Sequence, residues 1–495
     1  MSRYRHLTTL LALACLLPAG AALAGPAIAP GDLALRHDLQ RLADYGVLSG
    51  PVTTWPLSWG PIMSDLQNYE TTTELPTDVI DTLARVRARA QWQSQTDELR
   101  FRARASAAER PVVIRSFQDV PREDGELGAG LSWTGDRFSI DLNVSAVANP
   151  VDDKDYRADG SNVAVALGNY TIAASTMDRW WGPGWDGSLI LSSNARPIPA
   201  VTIDRNFTEP FDSKWLSWIG PWDMSVIFGR MEDARAVPNA RFFGFRVNFK
   251  PIPSLEIGLS RTAQWCGDGR PCDFDTFVNL LLGKDNRNDP DISIENEPGN
   301  QLAGIDIRWA FTALSMPIAV YSQLIGEDES GDLPSRHIGQ LGIEGTGSYR
   351  DNWSYRWYAE AATTTCNFYD AIEGFNCAYN HTIYRSGYRY RGRVIGHGAD
   401  NDAAIATLGL LLVDDKETSW QGLVRIGKLN RGGAPDPNNS LTPVPQDILN
   451  VELAHSRIFS FGQLEFGVGY EQLDGNPAIP SSNEARAFIQ WRSDY

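Results

Sequence analysis

The sequence predicts an all-β fold, a transmembrane outer-membrane β-barrel of about 18 antiparallel strands behind a small N-terminal helical region. Three observations carry this prediction. From about residue 97 the apolar residues recur with a period of two. The polar face of that pattern repeatedly carries charge and glycine, and the apolar face is rich in Phe, Trp and Tyr. The connections alternate between tight turns, such as 134–136 and 251–254, and long polar loops, such as 326–336 and 430–446. A soluble sheet also alternates. Short turns on one side, long loops on the other and aromatics at the interfaces are the outer-membrane pattern. About 400 residues at roughly 22 per strand and connection give the strand number. Lipid forbids an open sheet edge, so the sheet must close.

Taken in order, the chain opens with Arg3, Arg5, an apolar run from Leu7 to Leu17 and the A-x-A site Ala22-Leu23-Ala24. Residues 1–24 therefore read as a signal peptide cleaved after Ala24, which implies export to the outer membrane. The run is shorter than the ~20 residues of a spanning helix, and Ala12-Leu13-Ala14 before Cys15 is a poor lipobox. Residues 25–96 carry helix signals. Asp32 can cap a helix bearing Leu35, Leu39 and Leu42, and Thr77 can cap another bearing Ile80, Leu83 and Val86. Pro51, Pro56, Pro61 and Pro76 break the segment into short pieces. Arg85, Arg87 and Arg89 lie outside the second stripe. They read as a solvated face, with contact to membrane or acidic polymer as the alternative.

The barrel takes residues 97–495. Leu99, Phe101 and Ala103 alternate with Arg100, Arg102 and Arg104, and Phe138, Ile140, Leu142 and Val144 with Ser139, Asp141 and Asn143. Phe243 to Phe249, Leu255 to Leu259, Ile305 to Trp309 and Leu464 to Tyr470 repeat the pattern. The chain ends on Tyr495, with Trp491 and Ile489 on the same face.

Charge and cysteines narrow the function. Lys and Arg number 44 against 61 Asp and Glu, a net charge of −17 that loss of Arg3 and Arg5 makes more negative. That excludes bulk nucleic-acid binding. Cys266 with Cys272, and Cys366 with Cys377, form two local pairs in loops rich in Gly, Asp or Asn. In an exported chain they read as two loop-stapling disulfides. No His or Cys cluster completes a metal site around them. Catalysis finds little support: the His residues are scattered, and Trp185-Asp186-Gly187-Ser188-Leu189 lacks the second glycine of a nucleophile elbow. The sequence points to no enzyme, cofactor or metal.

Several distinctive segments stand in order along nearly the whole mature chain: LRHDLQRLADYGVL and WPLSW near the N-terminus, DRWWGPGWDGSLILSSNARPIP at 178–199, FKPIPSLEIGLSRT at 249–262 and GYRYRGRVIGHGADND at 387–402. Together they resemble the Wzi family of outer-membrane capsule-assembly proteins, the 178–199 stretch being the most specific. The resemblance implies a barrel of about 18 strands with its helical region on the periplasmic side. It also implies a non-enzymatic, lectin-like role: holding capsular or extracellular polysaccharide at the cell surface. A monomer surrounded by outer-membrane lipid and lipopolysaccharide is the expected form. A porin or sugar-specific channel is the alternative.

The residues of both stretches suit a glycan. A pyranose has an apolar face of C–H groups, for which an indole is a flat partner, and arginine grips carboxylates with a planar fork. Trp180, Trp181 and Trp185 are candidate platforms, with Asp178, Arg179, Asp186, Asn194 and Arg196 as polar partners. The same stretch also fits a structural role, its glycines bending the chain at the barrel wall and its indoles packed or at the interface. At 388–393, Tyr388 and Tyr390 alternate with Arg389, Arg391 and Arg393. In a strand these arginines share one face, which must be the lumen, because Arg facing lipid costs roughly 2–4 kcal/mol at the midplane. There they bind an acidic glycan or pair with inward Asp and Glu.

Overall fold

In the computed structural model, eighteen antiparallel strands close into one barrel. The structure describes residues 26–69, 75–281, 297, 299–330, 333–350, 352–433, 435–475 and 480–493. The signal peptide expected at 1–24 and the terminal Tyr495 lie outside them. The wall begins with β1 (Leu99–Glu109), β2 (Gly125–Thr134), β3 (Phe138–Ala148), β4 (Asn162–Leu167), β5 (Tyr170–Ser175) and β6 (Ala200–Arg205). It continues with β7 (Trp222–Arg230), β8 (Arg241–Ile252), β9 (Leu255–Trp265), β10 (Gly299–Ala313), β11 (Met316–Ser330) and β12 (Leu333–Tyr349). It ends with β13 (Trp353–Thr363), β14 (Ala404–Asp414), β15 (Ser419–Leu429), β16 (Gln446–Phe459), β17 (Gly462–Asp474) and β18 (Ser482–Arg492).

Each strand pairs with its sequence neighbours, and β18 closes on β1 with Ala487 opposite Glu109 and Arg492 opposite Arg104. The short β4 covers only Phe138–Asp141 of β3. Tyr156–Arg157 pairs with Ser145 and Ala146 above it and completes that part of the wall.

The period-two pattern sorts the two faces. Phe101, Leu127, Val144, Leu341 and Leu408 stand exposed on the outside, where an outer-membrane barrel meets lipid. Arg246, Asp306, Arg308, Glu344, Arg356, Glu360 and Arg425 point inward and are buried. An 18-stranded barrel is too wide for such side chains to meet across it. The space is taken by inserted chain: 110–124 after β1, 176–199 between β5 and β6, 364–403 between β13 and β14, and the N-terminal helices.

The helices are α1 (Leu33–Asp44), α2 (Trp59–Asn68) and α3 (Thr77–Gln93). Asp32 caps α1 as expected, accepting the Leu35 N–H at 2.9 Å. Leu35, Leu39 and Leu42 are buried, and so are Arg36, His37, Asp38 and Arg41 on the other faces. A helix this polar is buried all round only because it lies among polar partners. His37 Nε2 is 3.0 Å from Ser354 Oγ, and Arg308 donates to both Asp44 oxygens at 2.7 and 3.0 Å. The region expected at 25–96 thus reaches into the lumen at the short-turn end and shares a core with Phe117, Trp180, Trp185, Tyr321 and Tyr358.

Several expectations are corrected. Arg85, Arg87 and Arg89 do not form a solvated face. Arg85 forks onto Asp38 at 2.7 and 2.8 Å, Arg87 donates to the Leu66 carbonyl, and Arg89 pairs with Asp32 and Glu417. Pro76, not Thr77, is the N-cap of α3. The buried stripe of α3 is Val79, Leu83, Val86 and Ala90, and Ile80 is exposed. Pro61 does not break α2, because it sits in the first turn, where no intrahelical N–H is needed. Residues 326–336 are not a long loop: β11 and β12 extend to Ser330 and Leu333 as a hairpin. A short helix, α4 (Phe274–Leu281), stands in the 266–281 segment. Cys266 bonds Cys272 and Cys366 bonds Cys377, with Cα separations of 4.6 and 6.0 Å.

The two ends of the wall differ in the way that defines orientation in outer-membrane barrels. A cysteine placed at Ser254 should react with an impermeant maleimide only after the outer membrane is opened. One placed at Asn438 should react in intact cells. Labelling at Ser254 in intact cells would reverse the barrel.

Candidate functional site

The Trp-rich stretch crosses the middle of the lumen. The backbone of Trp180 and Trp181 pairs as a two-residue antiparallel ladder with Trp55 and Thr54 of the N-terminal region. Phe117 stands at right angles between Trp55 and Trp180, with ring centroids at 5.0 and 5.4 Å. Trp185 stacks on Tyr358 and donates its indole N–H to Glu344 at 2.7 Å. The guanidiniums of Arg36 and Arg356 cover its ring at 4.1 and 4.8 Å. Trp181 packs in a second cluster with Leu189, Ile190, Tyr379 and Tyr388. The three indoles are 0, 0 and 1% exposed. None offers a free face to a sugar, and the packed arrangement is the one observed.

The glycines make this crossing possible. A Cβ on Gly184 would lie 2.2 Å from the Gly187 carbonyl oxygen, and one on Gly187 would lie 2.2 Å from the His397 ring. Burial pushes that imidazole down to about 4, so it is neutral, and its Nδ1 accepts the Ala399 N–H at 3.1 Å.

The polar partners are engaged as well. Asp186 accepts both arms of Arg425 at 2.7 and 2.9 Å and the Thr407 hydroxyl at 2.7 Å. Burial works to raise its pKa, but the Arg425 guanidinium outweighs it and holds the carboxyl below the ordinary aspartate range. Arg425 also reaches Glu452 at 2.8 Å. Glu360 accepts the backbone N–H groups of Trp185 and Asp186. Asp178 pairs with Arg122 at 3.0 Å, and Arg179 reaches Ser225 at 3.3 Å and Asp204 at 3.5 Å. Asn194 donates to the Val394 carbonyl at 3.0 Å. Arg196 forks onto Asp159 at 2.7 and 2.9 Å and also pairs with Asp152.

The 388–393 segment is not a barrel strand, contrary to expectation. Arg389–Tyr390 pairs with Arg393–Val394 as a two-residue hairpin inside the lumen. Arg391 and Gly392 form the turn with φ of 49° and 78°, the left-handed pair such a turn demands. The three arginines therefore diverge. Arg389 holds Asp400 at 3.0 Å, Arg391 lies 3.3 Å from Asp152, and Arg393 donates to the Val113 carbonyl at 3.0 Å. The Tyr388 hydroxyl bonds the Ile190 carbonyl and Thr262, both at 2.8 Å. Tyr390 is buried beside Arg391.

A large open polar surface lies at the long-loop end. A cavity of about 940 Å³ is bounded by the rims of β10–β12 and by the disulfide-closed 366–377 loop, with 380–385 and 435–438 completing it. Asn300, Asn376, Asn380 and Asn438 line it with amides, Phe375 with a ring, and Arg336 and Arg385 with cations. Asn380 is held by Asp436 at 2.8 Å, and His381 lies 3.1 Å from Glu297. The exposed Arg385 makes no side-chain hydrogen bond or ion pair among the described residues. Sequence reasoning singled out only the two cysteines here. Asparagines set far apart, at the start of β10 and in two loops, carry no periodic signal.

Among the described residues, no group of three or more His, Cys, Asp and Glu side chains is disposed to hold a metal ion.

A family model described as capsule assembly protein Wzi matches residues 93–475. An uncharacterized 55.8 kDa protein in the cps region of Klebsiella pneumoniae is 32% identical over 370 residues, covering 74% of this chain and 71% of that protein. The solved structure of Escherichia coli Wzi superposes with a TM-score of 0.82 at 27% identity, over 95% of this chain and 99% of that one. That protein is an outer-membrane, carbohydrate-binding β-barrel involved in group 1 capsule assembly.

The Asp186–Arg425 pair should support the lumen more than any surface pair. Asp186→Asn leaves a buried guanidinium undercompensated, at a cost of about 3 kcal/mol or more. The temperature at which the folded band is lost on unheated gels should fall clearly. Glu98→Gln, at an exposed ion pair, should leave it unchanged.

Proposed function

The chain belongs to the Wzi family of capsule assembly proteins, and on that premise we propose that it is a lectin-like protein of the outer membrane. In this reading it binds capsular or similar extracellular polysaccharide and helps anchor or assemble it at the cell surface. The observation that carries the reading is the open, amide-lined cavity at the loop end, about 940 Å³ against about 290 Å³ for the polar space left inside the wall beside Arg102, Asp119 and Arg122. Asparagine amides match sugar hydroxyls, Phe375 offers a face for C–H groups, and Arg336 and Arg385 suit the acidic groups of a charged polymer. The 178–199 and 388–393 residues support the site from below, by fixing the loops over the barrel.

The protein binds the polymer without cleaving it and acts as a monomer. The wall closes on itself, so no second copy is needed to satisfy a strand edge. The long-loop end faces outward, and the N-terminal helices lie on the periplasmic side. The filled lumen argues against the porin alternative.

The test is retention of an acidic capsular polysaccharide per folded molecule of purified barrel. Replacing Arg336 and Arg385 together with Ala should lower it by about tenfold or more, given ~1.5–3 kcal/mol for a hydrogen bond to a charged group. Trp185→Ala should reduce the yield of folded barrel and leave binding per folded molecule intact. Stable, porin-sized conductance in planar bilayers from the full mature chain would overturn the proposal.

A further inference from the structure

The outer wall carries a cationic feature that the loop-end cavity does not use. Arg230 on β7 and Arg241 on β8 are directly opposed cross-strand neighbours, and both are exposed. They share a face with Val226, Phe228, Phe243 and Phe245, the opposite of the inward face that carries Ile227 and Gly244 against Trp181. They therefore point away from the lumen, at the loop-end rim of the lipid-facing band. Like charges placed opposite each other in a sheet repel. Arg230 donates to Asn239 Oδ1 at 2.8 Å, and the Arg241 side chain has no hydrogen bond or ion pair among the described residues. Three of the carboxylates nearby in sequence are engaged elsewhere, and the exposed Asp233 pairs with neither arginine. Glu232 pairs with Arg235, Asp268 accepts from Asn239, and Asp273 accepts the Thr276 N–H and hydroxyl.

Beside this pair lies an apolar shelf. Phe228 faces Phe243 one step down the same strands, with ring centroids at 5.5 Å. The helix α4 rests on the outside of the wall here: Phe277 is 4.8 Å from Trp265 and 5.4 Å from Phe243. A third outward arginine holds the helix in place. Arg261 donates to the carbonyls of Leu280 and Leu281 at 2.7 and 3.0 Å, capping its C-terminal end. The Cys266–Cys272 bond shortens the tether from β9 to α4. Phe274 and Leu281 remain exposed on the helix. Cations at the water boundary above an aromatic shelf that continues into the apolar band match a lipid with phosphate above and acyl chains below.

We propose that Arg230 and Arg241, with the shelf of Phe228, Phe243, Trp265 and Phe277, bind a phosphate-bearing lipid of the outer leaflet. The two guanidiniums share the phosphate, which removes their repulsion. The acyl chains lie along α4 and the wall. The lipid fixes α4, and through the disulfide it fixes the start of the loop after β9.

The experiment is native mass spectrometry of the full folded barrel in detergent, titrated with bisphosphorylated lipid A. The bound fraction should be high for the natural sequence. It should fall about tenfold or more for Arg230→Gln/Arg241→Gln, counted on folded molecules only. Arg241→Gln alone breaks no hydrogen bond or ion pair among the described residues and should still show most of the loss. Arg457→Gln, at the opposite rim, should bind normally, and lipid A stripped of its phosphates should bind weakly to every form. Equal binding by the natural chain and the double variant would overturn the proposal. So would displacement of the lipid by millimolar inorganic phosphate, which would make the site one for a free anion. Polysaccharide retention should be unchanged in the double variant, so failure here and failure of the polysaccharide reading are separately visible.

Discussion

Arginine–carboxylate pairing across the lumen is the interaction on which the rest of this structure depends. The membrane requires a closed wall, and eighteen strands make that wall too wide to fill with its own side chains. Inserted chain has to fill it, and the inserts are seated by charge. Arg308 ties Asp44 of α1 to Glu344 of the wall. Arg425 of the wall grips Asp186. Arg246 and Asp306, paired at 2.9 Å, present the Arg246 Nε to Thr54 at 2.7 Å. Each such ion gives up its hydration, so a mispaired register would leave a bare charge in the interior. The pairs select one placement of each insert more than they add to overall stability.

Much of the wall was legible in the sequence, because lipid on one side and buried polar groups on the other enforce a strict alternation. Phe138, Leu142 and Val144 against Ser139, Asp141 and Asn143 could be assigned to a strand and to its faces without any partner. The two disulfides followed from local spacing and export. The interior was harder for a physical reason. Trp185 is defined by Glu344, Arg36 and Tyr358, each more than 140 residues away, and no local pattern distinguishes an indole packed there from one offered to a sugar. Tyr and Arg alternate at 388–393 as they would in a strand, and only the left-handed pair Arg391-Gly392 turns them into a hairpin. Arg85, Arg87 and Arg89 looked solvated because the sequence does not show that α3 packs against other polar elements. The loop-end asparagines come together only where the start of β10 meets two loops distant in sequence.

The result is a division of labour within one chain. The segments at 178–199 and 387–402 build a packed interior, and on the proposed reading the loop residues around the 366–377 disulfide present the surface that meets the polymer. The disulfide-closed 366–377 loop joins the two layers: its continuation through Tyr379 reaches down to the Leu189 carbonyl at 2.6 Å.

Eighteen is an even number, and parity has a consequence of its own. With an even count the first and last strands run antiparallel at the seam, so Leu99 and Arg492 sit at the same rim, the one with the tight turns. The opposite rim is formed by connections between strands, each pinned at both ends by a fixed register. Such segments can lengthen, shorten or change composition one at a time while the cylinder beneath them keeps its frame. The closed cylinder and its packed inserts set the frame, and the connections at that rim set the surface it displays.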